Sequence, residues 1–122
     1  MISGRYKTAF NLVYDAFDKI SKTGKNPVEV LVRAIENSAP KEEVMTLLIA
    51  GQRISKQVDT SPMRRLDLAL RWIAQGTYML SASGKKASDA LVEILTTAAQ
   101  NQESSFPVSK RIDTERQAAA SR

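Results

Sequence analysis

The amino-acid sequence predicts a mainly α fold, a bundle of about five helices with one projecting β-hairpin, and three observations predict it. Apolar residues recur at three- and four-residue spacing through several long stretches, the period of a helix with one buried face. Asparagine, proline and glycine stand at the ends of those stretches, where helix caps and stops belong. Between the second and third stretches the pattern changes to alternation beside a glycine, the mark of paired strands. With 122 residues, 43% hydrophobic and 25% charged, the chain is large enough for one compact domain over residues 1–122 with a modest core and no covalent staples.

The first helix is expected from Tyr6 to Lys22. Ala9, Leu12, Val13, Ala16, Phe17 and Ile20 keep helical spacing, Lys7, Asn11, Asp18 and Lys22 lie opposite, and Gly24 closes the helix just past its end. Phe10 and Phe17 are assigned to core stripes. Arg5 and Lys7 fall before or within the first turn, where cations oppose the helix dipole, so both are candidate phosphate contacts. The second helix begins with Asn26 as cap, Pro27 in first position and Glu29 placed to complete a capping box. Its buried stripe is Val28, Leu31, Val32 and Ile35, and Pro40 ends it by disfavouring helical geometry at Ala39. Glu36, Glu42 and Glu43 read as a solvated helix end and turn.

The hairpin is expected over about residues 44–58. Val44 to Ile49 is too short an apolar run for periodicity to decide. Gln52 to Val58 does alternate, with Ile54, Lys56 and Val58 on one side and Arg53, Ser55 and Gln57 on the other. Gly51 suits the bend, whereas Ala50 beside it tolerates positive φ poorly. An isolated hairpin is marginal in water, so this one must lean on a helix or a partner. Met45, Leu47, Leu48 and Ile49 are expected to stay partly exposed.

In the third helix, fold and function meet. Ser61 caps it, Pro62 opens it, and Leu66, Ala69, Leu70, Ile73, Thr77 and Leu80 point to the core. Arg64 and Arg71 share another face with Arg65 beside them, and Trp72 is assigned to packing. The helix ends near Ser81 to Gly84, and Lys85 and Lys86 occupy the loop. Ala87, Ala90, Leu91, Ile94, Leu95 and Ala98 mark a fourth helix as core, with Asp89 and Glu93 in its early turns. The tail over about residues 106–122 is basic: Lys110, Arg111, Arg116 and Arg122 meet only Asp113 and Glu115. Phe106, Val108 and Ile112 are its only apolar anchors, so its helix is expected to fray until a charged partner orders it.

Charge narrows the function classes. The net charge is +5, and there is no cysteine and no histidine, which removes disulfides, thiolate and imidazole metal sites, cysteine nucleophiles and histidine bases together. No phosphate-binding glycine loop or dinucleotide fingerprint occurs, so no enzyme activity, cofactor or small-molecule substrate is expected. No apolar run approaches a membrane span and no signal-peptide pattern opens the chain, so a cytoplasmic location is expected. Between Gln52 and Lys86, seven bases (Arg53, Lys56, Arg64, Arg65, Arg71, Lys85, Lys86) stand against Asp59 and Asp67, and elsewhere the signs cancel. A localised basic excess is the footprint of a polyanion. With no aromatic stacking platform, recognition is expected to rest on phosphates and RNA shape. Two other readings fit the basic helix: a DNA-binding domain, which would want a short helix just before it, and a protein-interaction module with an acidic partner.

The run Ser61-Pro62-Met63-Arg64-Arg65-Leu66-Asp67-Leu68-Ala69-Leu70-Arg71-Trp72-Ile73 resembles the signature helix of the family of ribosomal protein seven of the small subunit, in its archaeal and eukaryotic form. Thr23 to Asn37, the hairpin-like segment, and Ser109 to Arg116 with Ser121-Arg122 follow the same family order, so the resemblance runs from about Gly4 to the end. It implies a structural RNA-binding protein of the ribosome that contacts the 3′ major (head) domain of small-subunit rRNA and nucleates head assembly. Implied partners are neighbouring head and platform proteins, with exit-site tRNA and mRNA nearby. The candidate rRNA contacts are the basic residues in the matching segments: Arg5, Lys7, Arg53, Lys56, Arg64, Arg65, Arg71, Lys85, Lys86, Lys110, Arg111 and Arg116. Two departures matter: relatives usually place two glycines at the hairpin bend, and they carry a longer basic N-terminal extension than the residues ahead of Gly4, so either weaker RNA binding or a shortened or reconstructed form of the family is expected.

Overall fold

A computed structural model describes residues 2–121, with side chains described from Lys7 onward. The described residues form α1 (Ile2–Lys22), α2 (Pro27–Ser38), β1 (Glu42–Ile49), β2 (Gln52–Asp59), α3 (Pro62–Ala82), α4 (Ala87–Ala99) and α5 (Phe106–Ala120). The mainly α expectation, with its five helices and one hairpin, is met.

Local chemistry explains most of the boundaries. Asn26 Oδ1 accepts the Val28 N–H at 3.0 Å and caps α2, while Glu29 pairs with Arg33 at 3.1 Å, one turn along, rather than reaching back to the cap. Ser61 Oγ accepts the Arg64 N–H at 3.3 Å at the start of α3. Helix α1 begins at Ile2, earlier than expected, which moves Lys7 into the second turn and removes the dipole argument for it. Both α3 and α4 end in Schellman turns. Gly84, at φ +111°, follows α3 with Lys85 N–H on Leu80 O at 3.3 Å. Asn101, at φ +56°, follows α4 with Gln102 N–H on Thr97 O at 3.1 Å, a role that asparagine fills because it tolerates the left-handed region.

Helix α4 is the hub. It packs on α1, α2, α3 and α5, and Ala90, Leu91, Ile94, Leu95 and Ala98 are all buried, as its periodicity predicts. Ala16 and Ile20 of α1, Val30 and Ala34 of α2, Ile73 of α3 and Val108 of α5 complete the core. Two stripes are rotated from expectation. In α2 the buried residues are Val30, Ala34 and Ser38, and Val28 and Val32 face solvent. In α3, Leu68, Ala69, Trp72, Ile73, Gly76 and Thr77 are buried, whereas Leu66 and Leu70 are exposed. Trp72, 7% exposed, is a packing residue. Gly76 lets α4 and α5 approach: a Cβ there would stand 3.0 Å from Ile94 Cδ1 and 3.3 Å from Phe106 Cβ.

Three further expectations are corrected. Phe10 lies outside the core at 59% exposed, because the N-terminal half of α1 extends past the helices that cover its other end. Glu43 is no solvated turn residue; it lies within β1 and is bonded to Arg64. The tail is an integral helix: Pro107, Val108 and Ala118 are buried, and α5 packs on α2, α3, α4 and the hairpin. Ala118, fully buried, shows why: small side chains bury by allowing close approach.

Candidate nucleic-acid interface

The hairpin sets the geometry of the basic residues. Its strands pair antiparallel from Glu42↔Asp59 to Ile49↔Gln52, slightly longer than expected, and Ala50 and Gly51 form the loop with φ of +52° and +80°. Positive φ at both central residues is a type I′ turn, the two-residue loop whose twist matches paired strands. Ala50 therefore accepts the left-handed conformation that it disfavours. The base of the hairpin rests on α5, and Glu115 Oε2 accepts the Lys41 N–H at 3.0 Å just before β1. Beyond that base the strands stand clear. Met45, Leu48, Ile49 and Ile54 are exposed, Leu48 by 74%, as expected of an unpartnered arm.

Arg53 and Lys56 project from this arm on opposite faces, Arg53 opposite Leu48 and Lys56 opposite Met45, and neither has an ionic partner among the described residues. Arg64 and Arg65 fall in the first turn of α3, where the chain leaves β2. Arg64 Nε donates to both carboxylate oxygens of Glu43 at 2.7 Å, which ties α3 to β1. The Nε of the half-buried Arg65 has no acceptor among the described residues. Thus Arg53, Lys56, Arg64 and Arg65 belong to one end of the molecule.

The other candidates divide. Arg71 donates to Asp67 at 3.0 Å on the exposed face of α3. Lys85 pairs with Glu93 at 3.1 Å, and Lys86, exposed, precedes α4. A helix of 21 residues separates these lysines from Arg64, roughly 30 Å along its axis, so they form a separate basic site. On α5, Lys110 lies 5.9 Å over the Phe106 ring, Arg116 is exposed, and half-buried Arg111 is bonded to Glu115 at 3.0 Å and to Asn101 at 3.2 Å. Glu115 joins α5 to the hairpin base, which brings the adjacent Arg116 to that end, whereas Lys110 lies by Phe106, which packs at Gly76 of α3. Arg111 serves the fold. Lys7 is exposed on α1, and the Arg5 side chain lies outside the described residues.

Electrostatics elsewhere is structural. Lys19 Nζ donates to Asp89 Oδ1 at 2.7 Å and Ser88 Oγ at 2.9 Å and stands 3.5 Å from Asp15, clamping α1 to the start of α4. The hydrogen bond to Asp89 raises the Lys19 pKa above its usual value, and the same bond holds Asp89 below the usual carboxylate range. Asp15 is also lowered, first by the Ser88 hydroxyl and then by Lys19, against an opposing desolvation. Sequence reasoning missed this cluster, and it missed Asn37, whose Nδ2 donates to Ala98 O at 2.9 Å and Ala99 O at 3.1 Å and so satisfies the end of α4. A polar residue on an exposed-looking helix position gives no signal of a partner 61 residues away. Among the described residues no acidic cluster suits a metal, and no helix is long and apolar enough to cross a membrane.

The family described as Ribosomal protein S7p/S5e matches residues 1–122. Similar proteins include the small ribosomal subunit protein uS7 of Haloquadratum walsbyi, 41% identical over 98% of this chain and 54% of its own length. That of Thermoplasma volcanium is 43% identical over 98% of this chain and 66% of its own. That of Cenarchaeum symbiosum is 44% identical over 99% and 62%. The chain therefore spans between about half and two thirds of the length of these relatives. With its whole length matched, the chain belongs to the ribosomal protein S7p/S5e family.

Proposed function

We propose that this chain is a structural constituent of the small ribosomal subunit that binds the 3′ major (head) domain of its rRNA as one unit, residues 1–122. In that role it nucleates head assembly, contacts neighbouring head and platform proteins, and borders the path of exit-site tRNA and mRNA on the cytoplasmic ribosome. Family membership over the whole chain is the single observation that carries the reading.

The geometry supports a division of labour within it. Arg53 and Lys56 on the arm, Arg64 and Arg65 at the start of α3, and Lys110 and Arg116 on α5 make the primary phosphate contacts. Although the Nε of Arg65 is buried, the exposed heads of Arg53 and Lys56, unpaired among the described residues, are free to donate to RNA oxygens. Arg64 can do so with its outer nitrogens while Nε stays on Glu43. Lys85 and Lys86 engage a second phosphate run, with Arg5, Lys7, Arg71 and Arg111 secondary. The exposed Leu48 and Ile49 near the turn pack on RNA or a neighbouring protein once the arm is seated. DNA reading by a helix-turn-helix is disfavoured, because β2 occupies the place of the helix that should precede α3.

The experiment is filter binding or fluorescence anisotropy with a head-domain rRNA junction, a scrambled RNA and a duplex DNA of equal length. A preference of roughly tenfold or more for the junction, kept as salt rises, is expected. Equal binding to all three would reduce the basic surface to a nonspecific polyanion site.

A further inference from the structure

The two-residue turn fixes the parity of the hairpin ladder. Ile49↔Gln52 closes the turn as a doubly bonded pair, and every second pair toward the base, down to Glu43↔Val58, shares that parity, so Lys41 with Thr60 would be the next. That last pair is only half made. The Thr60 N–H donates to Lys41 O at 2.9 Å, but the Lys41 N–H leaves the ladder and donates to Glu115 Oε2 of α5 at 3.0 Å. The other oxygen of this carboxylate, Oε1, accepts from Arg111 Nη1 at 3.0 Å, and Arg111 Nη2 donates to Asn101 Oδ1 at 3.2 Å, in the turn that ends α4. A continuous polar chain thus runs from the end of the hub helix to the backbone at the root of the arm. A second carboxylate holds the arm from another helix: Glu43 of β1 accepts from Arg64 Nε of α3 on both oxygens at 2.7 Å.

Two strands have little stiffness of their own, and among the helices only α5 brings its backbone against them. Glu43 at 16% exposed and Glu115 at 29% are the least exposed acids in the ion pairs of the described residues, so salt screens these two ties least. We propose that Glu115, with Arg111 behind it, is a positioning residue: a strut that, together with the Glu43–Arg64 tie, fixes the direction of the arm relative to the bundle before any partner is met. One tie would leave the arm free to swing about it. Ties to two different helices, one through a backbone amide and one through a side chain, remove that freedom. An arm already held in its bound direction loses less conformational entropy on binding. This last consequence rests on reading Arg53 and Lys56 as phosphate contacts, whereas the strut itself does not.

Residual dipolar couplings of the intact chain, free of RNA, compare the direction of the arm amides with that of the α4 amides. In the parent, one alignment tensor should fit both. In Glu115→Ala the arm couplings should shrink and require a tensor of their own, with the bundle couplings and the circular dichroism spectrum unchanged, and Glu115→Gln, which keeps an acceptor for the Lys41 N–H, should restore most of the single fit. Arg111→Met, which cuts the chain at Asn101 but leaves the carboxylate in place, should loosen the arm less and in the same sense. A single tensor in Glu115→Ala and Arg111→Met, or an independent arm in the parent, would overturn the strut. Binding to the head-domain rRNA junction then separates position from charge. Removing an acid acts electrostatically to tighten RNA binding, whereas losing a strut weakens it, so Glu115→Ala should bind roughly three- to tenfold more weakly with an unchanged salt slope. Tighter binding would overturn the role in recognition, and a parent that does not bind the junction would overturn the RNA reading while the tensor result still judges the strut.

Discussion

At the residue scale, side chains already committed to one another set what the molecule can do. The Lys19, Ser88, Asp89 and Asp15 cluster joins two helices through exposed charges, so its contribution should follow pH with a definite sign. Asp15 and Asp89 are depressed below their ordinary 3.8, so their stabilisation is present above that value and is lost as pH falls through their lower folded values. Lys19 is raised above 10.5, so its share is present below that value and is lost as pH rises through its higher folded value. Melting temperature should therefore be flat near neutrality and drop in acid, and Asp89→Asn should lower the neutral plateau while shrinking the acid drop; a pH series of thermal melts reads both. Ala50 is the second case. In the left-handed region Ala50→Gly relieves a steric cost of about 1–2 kcal/mol, partly offset by the greater chain entropy of glycine, so roughly 0.5–1 kcal/mol of stabilisation is expected in denaturant titrations. The cap at Asn26 and the φ problem at Ala50 were legible in the sequence, because both depend on neighbours along the chain. Asn37 and Lys19 were not, since their partners are brought close only by the packed helices.

At the element scale, the sequence located every helix and the hairpin but misjudged which sector of some helices is covered. Helix α4 was read correctly because its apolar sector is wide and surrounded on several sides. Helix α3 was rotated because Trp72 and Gly76 decide its packing. Trp72 was assigned to packing but left out of the buried stripe, and glycine carries no hydropathy. Gly76→Val should accordingly destabilise by about 1–3 kcal/mol, since Phe106 Cβ is already close and α5 cannot retreat without disturbing Val108. Truncating the hub should cost more: Leu95→Ala, at 1% exposed, is expected to lose about 2–5 kcal/mol, measurable by urea unfolding. Helix α5 was underestimated for a related reason. Its Pro107 and Ala118 bury through close contact rather than bulk, and with it came the support of the hairpin base that no local pattern announces.

At the scale of the whole molecule, the bundle is a rigid base that holds a cationic arm away from itself. The positive middle of the chain was visible as a charge count, but its division into a hairpin end and a distant Lys85–Lys86 site depends on the length of α3. Several nominated cations are partly spent on ion pairs: Arg64 with Glu43, Arg71 with Asp67, Lys85 with Glu93 and Arg111 with Glu115. Exposed pairs of this sort are weak and can yield to phosphate, whereas the inward-turned Arg111 is the least available. The central claim is that the arm and the start of α3 grip RNA phosphates. Its most direct test is the salt dependence of binding to the head-domain rRNA junction, measured for the parent chain and for Arg53→Ala with Lys56→Ala. If about six cations engage phosphates, the parent affinity falls by on the order of a thousandfold between 50 and 200 mM salt, and the variant's log–log slope is shallower by about 2. A variant slope equal to that of the parent, or a parent affinity indifferent to salt, would contradict it.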